Sequence, residues 1–323
     1  MRWNIIVIVA ERDQEKRQKV WSYISELITV DKISSENIRL HNTVFHFLIE
    51  DAKQAIHMKW TKNHVSKTKL SYCKQHITCH NNFLRKFVTK CREKDVAKNY
   101  AFMYVGGGFG WYTENDYDCP KTIKTWAQIL SPHYWNMIMF DCCLMASLEV
   151  AYELRKLTPY IVACEVYEPD QGMFSRDMVN AFEGFTDPVT IATHIIDSFI
   201  RRVNTHPESD PADMSLIATH SISRLVKRLS RLKKRSDNDL CFIETDVNEQ
   251  NAQVDLLSFL PKNRANLFEK TVLYYAQSEK MKKLSNAKTF HGLSFCISNR
   301  LDPFAHDHYH ELSVSQKIEH LRI

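Results

Sequence analysis

The chain has 323 residues, 44% apolar and 25% charged. That is enough to bury a full core, and it excludes both a disordered chain and a disulfide-stapled miniprotein. A formal charge of +5 is modest for this length, so nucleic acid is not an expected partner. No stretch approaches the ~20 apolar residues of a membrane helix, and the apolar run Ile5 to Ala10 is too short for a secretory core before Glu11. Nine cysteines without regular spacing suit reduced thiols better than a disulfide framework. The expectation is a soluble, intracellular, cytoplasmic protein without a membrane partner.

Trp3 to Ala10 (WNIIVIVA) is a β-branched run of the right length for a buried strand. Val20, Trp21, Ile24, Leu27 and Ile28 then repeat at helical spacing. From Thr43 to Thr78 the chain is amphipathic and basic and reads as helices and loops. Leu84, Phe87, Val88 and Cys91 mark a helix, and Tyr100 to Val105 (YAFMYV) is a second buried strand. It runs into a glycine cluster: four of only seven glycines, Gly106, Gly107, Gly108 and Gly110, stand together. Trp135 to Phe140 is a third strand, followed by Asp141, Cys142, Cys143 and a helix from Leu144 to about Leu157; Ile161 to Cys164 is a fourth strand. A helix over about Thr190 to Asn204, the segment Ser215 to Ala218, a basic helix Ser221 to Arg235, a helix Arg264 to Leu284 and a late strand Gly292 to Ser298 complete the pattern. Strands alternating with helices predict an α/β fold with a mainly parallel sheet covered on both faces, whose site lies at the carboxyl ends of strands. No linker or repeat interrupts residues 1–323, which read as one domain, with the site formed by the 105–111 loop and the 140–145 strand end.

Along an extended strand Asp141 and Cys143 share a face while Cys142 points away, which makes Cys143 the more exposed sulfur. A helix start just after it would favour a thiolate through unpaired amides and the macrodipole. The plainer alternative is a pair of small buried hydrophobes. A cysteine nucleophile also needs amide donors for the oxyanion, which the glycine cluster can supply, and a base that takes the thiol proton and returns it to the leaving amine. The cluster lacks the Gly-Lys-Ser/Thr ending and the G-x-G-x-x-G spacing of nucleotide loops.

Phe140 to Leu154 (FDCCLMASLEVAYEL) resembles the nucleophile segment of the clostripain family of cysteine peptidases, with the second cysteine as nucleophile. Asn99 to Trp111 (NYAFMYVGGGFGW) is similar to that family's strand ending in a His-Gly turn and a Gly-Trp, and VACEVYEPDQGMF from Val162 resembles its pocket-forming loop. The resemblance implies a caspase-like three-layer sandwich. It implies Cys143 as nucleophile, the Cys143 and Gly108 amides as oxyanion donors, and Asp141, Cys164, Glu165 and Asp170 around a pocket for Arg or Lys side chains; from the residues alone, Asp141 suits equally a second role, bonding backbone amides at the turn. The family's histidine falls on Gly107, and no histidine occurs between His80 and His133. One acid–base group is worth roughly 10² to 10⁴ in rate, and loss of a coupled member can cost about 10⁶.

The expected function is therefore a peptidase homologue that is inactive or strongly impaired and binds peptide or protein partners with basic residues. The rivals are an active Arg/Lys-directed endopeptidase using a base from elsewhere, and a scaffold acting through its basic surface. His133 would stand roughly 20 Å from Cys143, and His291 would approach only in a fold other than the one resembled. Lys121 and Lys124 lie where similar peptidases are cut during self-activation. No cofactor and no metal are expected. His306, His308 and His310 read as a solvated tail, and Cys73, Cys79 and His80 lack a second pair at zinc spacing. Calcium, on which members of the resembled family can depend, would rest only on Glu114, Asp116 and Asp118, without the Gly and Glu of an EF-hand.

Overall fold

The computed structural model describes residues 2–10, 24, 40–50, 55–62, 64–70, 77–114, 119–166, 168–169, 172–206, 208–233, 242–243, 253–261, 265–284, 290–297 and 308–321. In chain order the strands are β1 (Trp3–Ala10), β2 (Thr43–Glu50), β3 (Ala55–Thr61), β4 (His64–Leu70), β5 (Asn99–Gly108), β6 (Tyr112–Glu114) and β7 (Lys121–Thr122). After them come β8 (Met137–Asp141), β9 (Tyr160–Ala163), β10 (Asp213–Ala218), β11 (Phe242–Ile243), β12 (Gln253–Asp255), β13 (Val272–Gln277) and β14 (Ser294–Cys296).

Every residue of β1 is buried, as a β-branched run apolar on both faces requires of an internal parallel strand. It pairs in parallel with β2 and β5; β5 continues in parallel to β8, and β8 to β9. Antiparallel strands flank this centre, β3 and β4 beyond β2, and β10 and β13 beyond β9. Ile6 and Ile8 face a core shared with the helices Asn81–Lys94, Ile123–Leu130, Leu148–Leu154 and Ile222–Leu229. Ile5, Val7 and Val9 face a second core with the helices Arg176–Gly184 and Pro188–Thr205. Helix, sheet and helix make the three layers of a caspase-like α/β sandwich. No described helix is long and apolar enough to cross a membrane.

Three elements differ from expectation. Residues 43–50, 55–61 and 64–70 are strands, not helices and loops: TVFHFLIE is buried throughout as β2, and the lysines that suggested an amphipathic helix include exposed Lys67 and Lys69 on the edge strand β4, where charge blocks pairing with another chain. The stretch 264–284 is broken by β13, whose VLYYAQ sequence has the aromatic and β-branched character of a strand. The helix expected from Leu144 begins only at Leu148, capped by the Ser147 hydroxyl, which accepts from Val150 N at 3.2 Å.

Candidate active site

The ends of β5 and β8 lie side by side, Val105 opposite Asp141, so both chain reversals leave the sheet at the same edge. They touch at Gly108. A Cβ there would stand 2.3 Å from the Cys143 carbonyl oxygen and 2.9 Å from Cys142 Sγ, inside any allowed contact. Gly110, at φ +87°, is equally constrained, since a Cβ would sit 1.6 Å from Gln253 Nε2. Ser147 Oγ donates to the Gly110 carbonyl, Ser294 Oγ to Gln253 Oε1 at 2.6 Å, and Ser294 N to Ala146 O at 3.0 Å. Position 107 differs: a Cβ there meets Glu114 O at 3.4 Å, the Phe109 ring at 3.6 Å and Glu114 Cβ at 4.0 Å, ordinary contacts that admit a Cβ.

Cys142 is buried and Cys143 is half-buried, so the sulfur that reaches the surface is that of Cys143. The next residue, Leu144, has φ 63°, a left-handed conformation that costs a non-glycine residue ~1–3 kcal/mol. The turn is held there because Leu144 N donates to Val166 O and Ala146 N to Cys164 O, both at 2.8 Å. Cys143 Sγ accepts from Glu168 N at 3.1 Å. With the helix starting at Leu148, five residues beyond the sulfur, the macrodipole does not reach Cys143. Its field falls off within the first turn.

The predicted pocket residues divide by depth. Asp141 is nearly buried and its Oδ1 accepts from Met173 N at 2.5 Å, while a Cβ on Gly172 would stand 3.1 Å from Oδ2; Arg202 Nη2 donates to the Gly172 carbonyl at 2.8 Å. Cys164 and Glu165 are wholly buried. Burial pushes the Cys164 thiol well above its usual range, and the neighbouring charges of Glu168, Asp213, Cys143 and Asp141 add to this. Burial also raises Glu165 well above the carboxylate range, helped by Asp255 and Asp213. Asp213, likewise buried, accepts from Glu165 N at 3.2 Å and Val166 N at 3.1 Å; burial lifts it to about 7 against the pull of those donors. Asp170 lies outside the described residues, as do Asp116, Asp118 and His306. Glu168, which touches the sulfur through its backbone, and Asp213 escaped the sequence reading. Glu168 sits within the quoted loop VACEVYEPDQGMF, whereas Asp213 carries no local signal.

His133 lies before β8, at the end of the strand opposite Cys143, with Nε2 3.0 Å from Thr89 Oγ1. His291 stands on the segment that leads into β14. The Ser294 N to Ala146 O bond and a parallel bridge between Ser147 and Ser294 bring its segment alongside the cysteine turn. Phe290 and Cys143 pack against the same cluster of Leu144, Val166, Ile243 and Met281. His291 Nδ1 stands 2.9 Å from Asp255 Oδ1, and its backbone N–H donates to Asp255 Oδ2 at 2.9 Å. Lys121 is buried in β7, its Nζ donating to Cys79 O at 3.2 Å. His308 pairs with Glu311 at 3.0 Å. Of the acidic loop only Glu114 is described; Asp116 and Asp118 lie outside the described residues.

The sequence model of the clostripain family matches residues 27–316. The chain belongs to the clostripain family. Among solved structures it is similar to a secreted C11 cysteine protease from Bacteroides thetaiotaomicron in complex with an irreversible peptide inhibitor, at 16% identity and TM-score 0.74, over 98% of this chain and 99% of that one. An inactive zymogen C11 protease from Parabacteroides distasonis matches at 17% identity and TM-score 0.73, over 98% of this chain and 97% of that one. A clostripain from B. thetaiotaomicron in complex with the peptide inhibitor BTN-VLTK-AOMK matches at 17% identity and TM-score 0.51, over 61% of this chain and 94% of that one. No curated protein matches the sequence. The clostripain fold is thus kept across nearly the whole chain at low identity.

Proposed function

We propose that this clostripain-family chain keeps the nucleophile Cys143, lacks the family's imidazole at Gly107, cleaves peptide bonds slowly or not at all, and binds peptides or proteins with basic residues beside Cys143. One observation supports this most directly: the Gly108 and Cys143 backbones are in contact, while position 107, which admits a Cβ at ordinary contact distances, carries no side chain. Attack by sulfur on a peptide carbonyl forms a C–S bond and an oxyanion, for which the Cys143 and Gly108 amides are the family's donors. Breaking the C–N bond then requires a proton on the departing amine. An imidazole takes that proton from the thiol and delivers it, and without one the reaction stalls before amine release. Asp141 at the end of β8 is the acid that the family resemblance assigns to a pocket for a basic side chain, and Glu168 touches the Cys143 sulfur through its backbone N–H. The peptide VLTK of the relative's inhibitor ends in lysine, consistent with that preference. A cytoplasmic setting fits the seven free thiols among the described residues, although one relative is described as secreted.

A second reading, an active peptidase using His291, is favoured by the Asp255–His291 pair on a segment bonded to the cysteine turn. One assay separates the two. On a fluorogenic Arg-amide, the inactive homologue gives no turnover above a Cys143→Ala control, and Gly107→His raises it by about 10² or more. Turnover well above that control, lost in His291→Ala, establishes the second reading instead. If Gly107→His neither turns over nor is labelled at Cys143 by an arginyl electrophile, the pocket for a basic side chain is rejected.

A further inference from the structure

Three strands away from β8 in the sheet, a second cluster of ionisable groups has no part in peptide chemistry. His46 on β2 and His57 on β3 lie on one face of an antiparallel pair and pack under the helix Asn81–Lys94, which presents Cys91. His46 Nδ1 stands 3.1 Å from His57 Nε2, and Cys91 Sγ 4.0 Å from the same Nε2. One ligand atom from each residue lies within 4.8 Å of the other two. A tetrahedral ion with metal–nitrogen bonds of ~2.05 Å and a metal–sulfur bond of ~2.3 Å separates two nitrogens by about 3.3 Å, and nitrogen from sulfur by about 3.6 Å. The two nitrogens meet the first spacing within a few tenths of an ångström, the His57–Cys91 pair exceeds the second by about 0.4 Å, and the His46–Cys91 pair, within 4.8 Å, closes on an ion by side-chain adjustment.

We propose that His46, His57 and Cys91 form a binding site for a zinc-class transition-metal ion, with water in the fourth position. His46 Nε2 stands 3.2 Å from Asp95 Oδ2, an ion-pair distance though out of line for a well-formed hydrogen bond. This leaves Nδ1 as the ligand and makes Asp95 the carboxylate that orients the ring, the usual support of a metal-bound histidine. Asp95 is itself held by Lys59 Nζ at 2.5 Å. Asn4 Nδ2 ties down the end of the helix through Cys91 O at 3.1 Å and Asp95 O at 2.8 Å. The ligands thus stand on two strands and a helix, all packed. His46 and Cys91 are buried, while His57 is partly exposed, which gives an ion its entry.

The ligand chemistry selects the ion. Two imidazoles and a thiolate suit zinc, cobalt or copper and are poor for calcium or magnesium. Lys59, Lys90 and Lys94 act on His57 and oppose a hard cation held by charge alone. Burial holds His46 down at about 3 and His57 at about 4, so both rings offer lone pairs at physiological pH. Burial pushes the Cys91 thiol up to about 12, so binding must displace its proton: the S–H bond breaks, a metal–sulfur bond forms, and one H⁺ leaves for solvent. Nothing is oxidised.

The test is cobalt(II) titration of the full chain in a thiol-free reducing buffer, followed by zinc. Stoichiometric binding with a thiolate-to-cobalt charge-transfer band, bleached by equimolar zinc and untouched by excess calcium, is expected. Cys91→Ser abolishes the band, His57→Gln and Asp95→Asn weaken binding by 10-fold or more, and Cys143→Ala leaves it unchanged. Absence of the band in the wild-type chain overturns the site, as does its persistence in Cys91→Ser. Should Cys91→Ser fail to fold by circular dichroism, His57→Gln decides, because its ring is partly exposed; unaltered cobalt affinity in that variant also overturns the site. Loss of the band in Cys143→Ala would move the ion to the cysteine turn and reject this assignment.

Discussion

Gly107 and Gly108 are adjacent and identical in sequence, yet their surroundings separate them. A methyl group at 108 would overlap the Cys143 carbonyl at 2.3 Å, whereas one at 107 finds contacts of 3.4 Å and longer. Gly108→Ala should therefore destabilise the chain by about 2–4 kcal/mol through forced displacement of the cysteine turn. Gly107→Ala should lie within about 1 kcal/mol of wild type, helped by the smaller entropy of its unfolded state. Urea denaturation of both variants checks this, and equal losses would contradict the contact. The sequence read Cys143 over Cys142 from strand alternation; Cys143 is the less buried of the two, but β8 ends at Asp141 and both cysteines lie in the turn beyond it, so the turn and not the strand sets the difference. The burial of Cys164 and Glu165 was not legible in the sequence, because depth below a surface depends on what covers a loop, for Glu165 Asp213 and Gly292 from far along the chain.

The unit that presents Cys143 is a strand, a strained turn and a helix that starts late. Ser147 joins its parts: its hydroxyl caps Val150 N and donates to the Gly110 carbonyl. Ser147→Ala removes a cap worth about 1 kcal/mol and leaves a buried carbonyl without that donor, a further ~1–3 kcal/mol. A fall in the urea midpoint is expected, together with weaker labelling of Cys143 by an arginyl electrophile; a neutral effect on both would mean the loop and turn are not tied through this residue. Strands β1, β5, β8 and β9 were legible because each is a short run apolar on both faces. Strands β2 to β4 were not: lysines scattered at 53, 59, 62, 67, 69 and 74 suggest a helix face when counted, although two of them stand exposed on an edge strand. The helix start was misread by four residues because Leu144 to Ala146 are apolar and helix-compatible, and only their bonds to Cys164, Val166 and Ser294 keep them out of the helix.

Across the folded chain, buried acids and buried histidines oppose one another in pH dependence. Asp213 rises from an ordinary 3.8 to about 7 because burial disfavours its charge, so the folded state holds a proton that the unfolded state has lost, and stability falls as pH rises from about 4 through 7. His46 and His57, held at about 3 and 4, are neutral when folded; their contribution is full above 6.5 and is lost as pH falls towards those values. The two trends overlap, so the measurable quantity is a difference. The stability of wild type relative to Asp213→Asn should decrease between pH 4 and 7 and flatten above, and a difference independent of pH would show that Asp213 does not titrate in this range. Composition, β-branched runs and the motif around Cys143 were sufficient to read an α/β sandwich, the strand ends that carry the site and the family resemblance, because each is written in residues close together along the chain. Which glycines are compulsory, which carboxyls are sealed in, where the segment bearing His291 runs, and that residues 46, 57 and 91 stand together all depend on contacts between distant segments, and such contacts exist only once the sheet has closed.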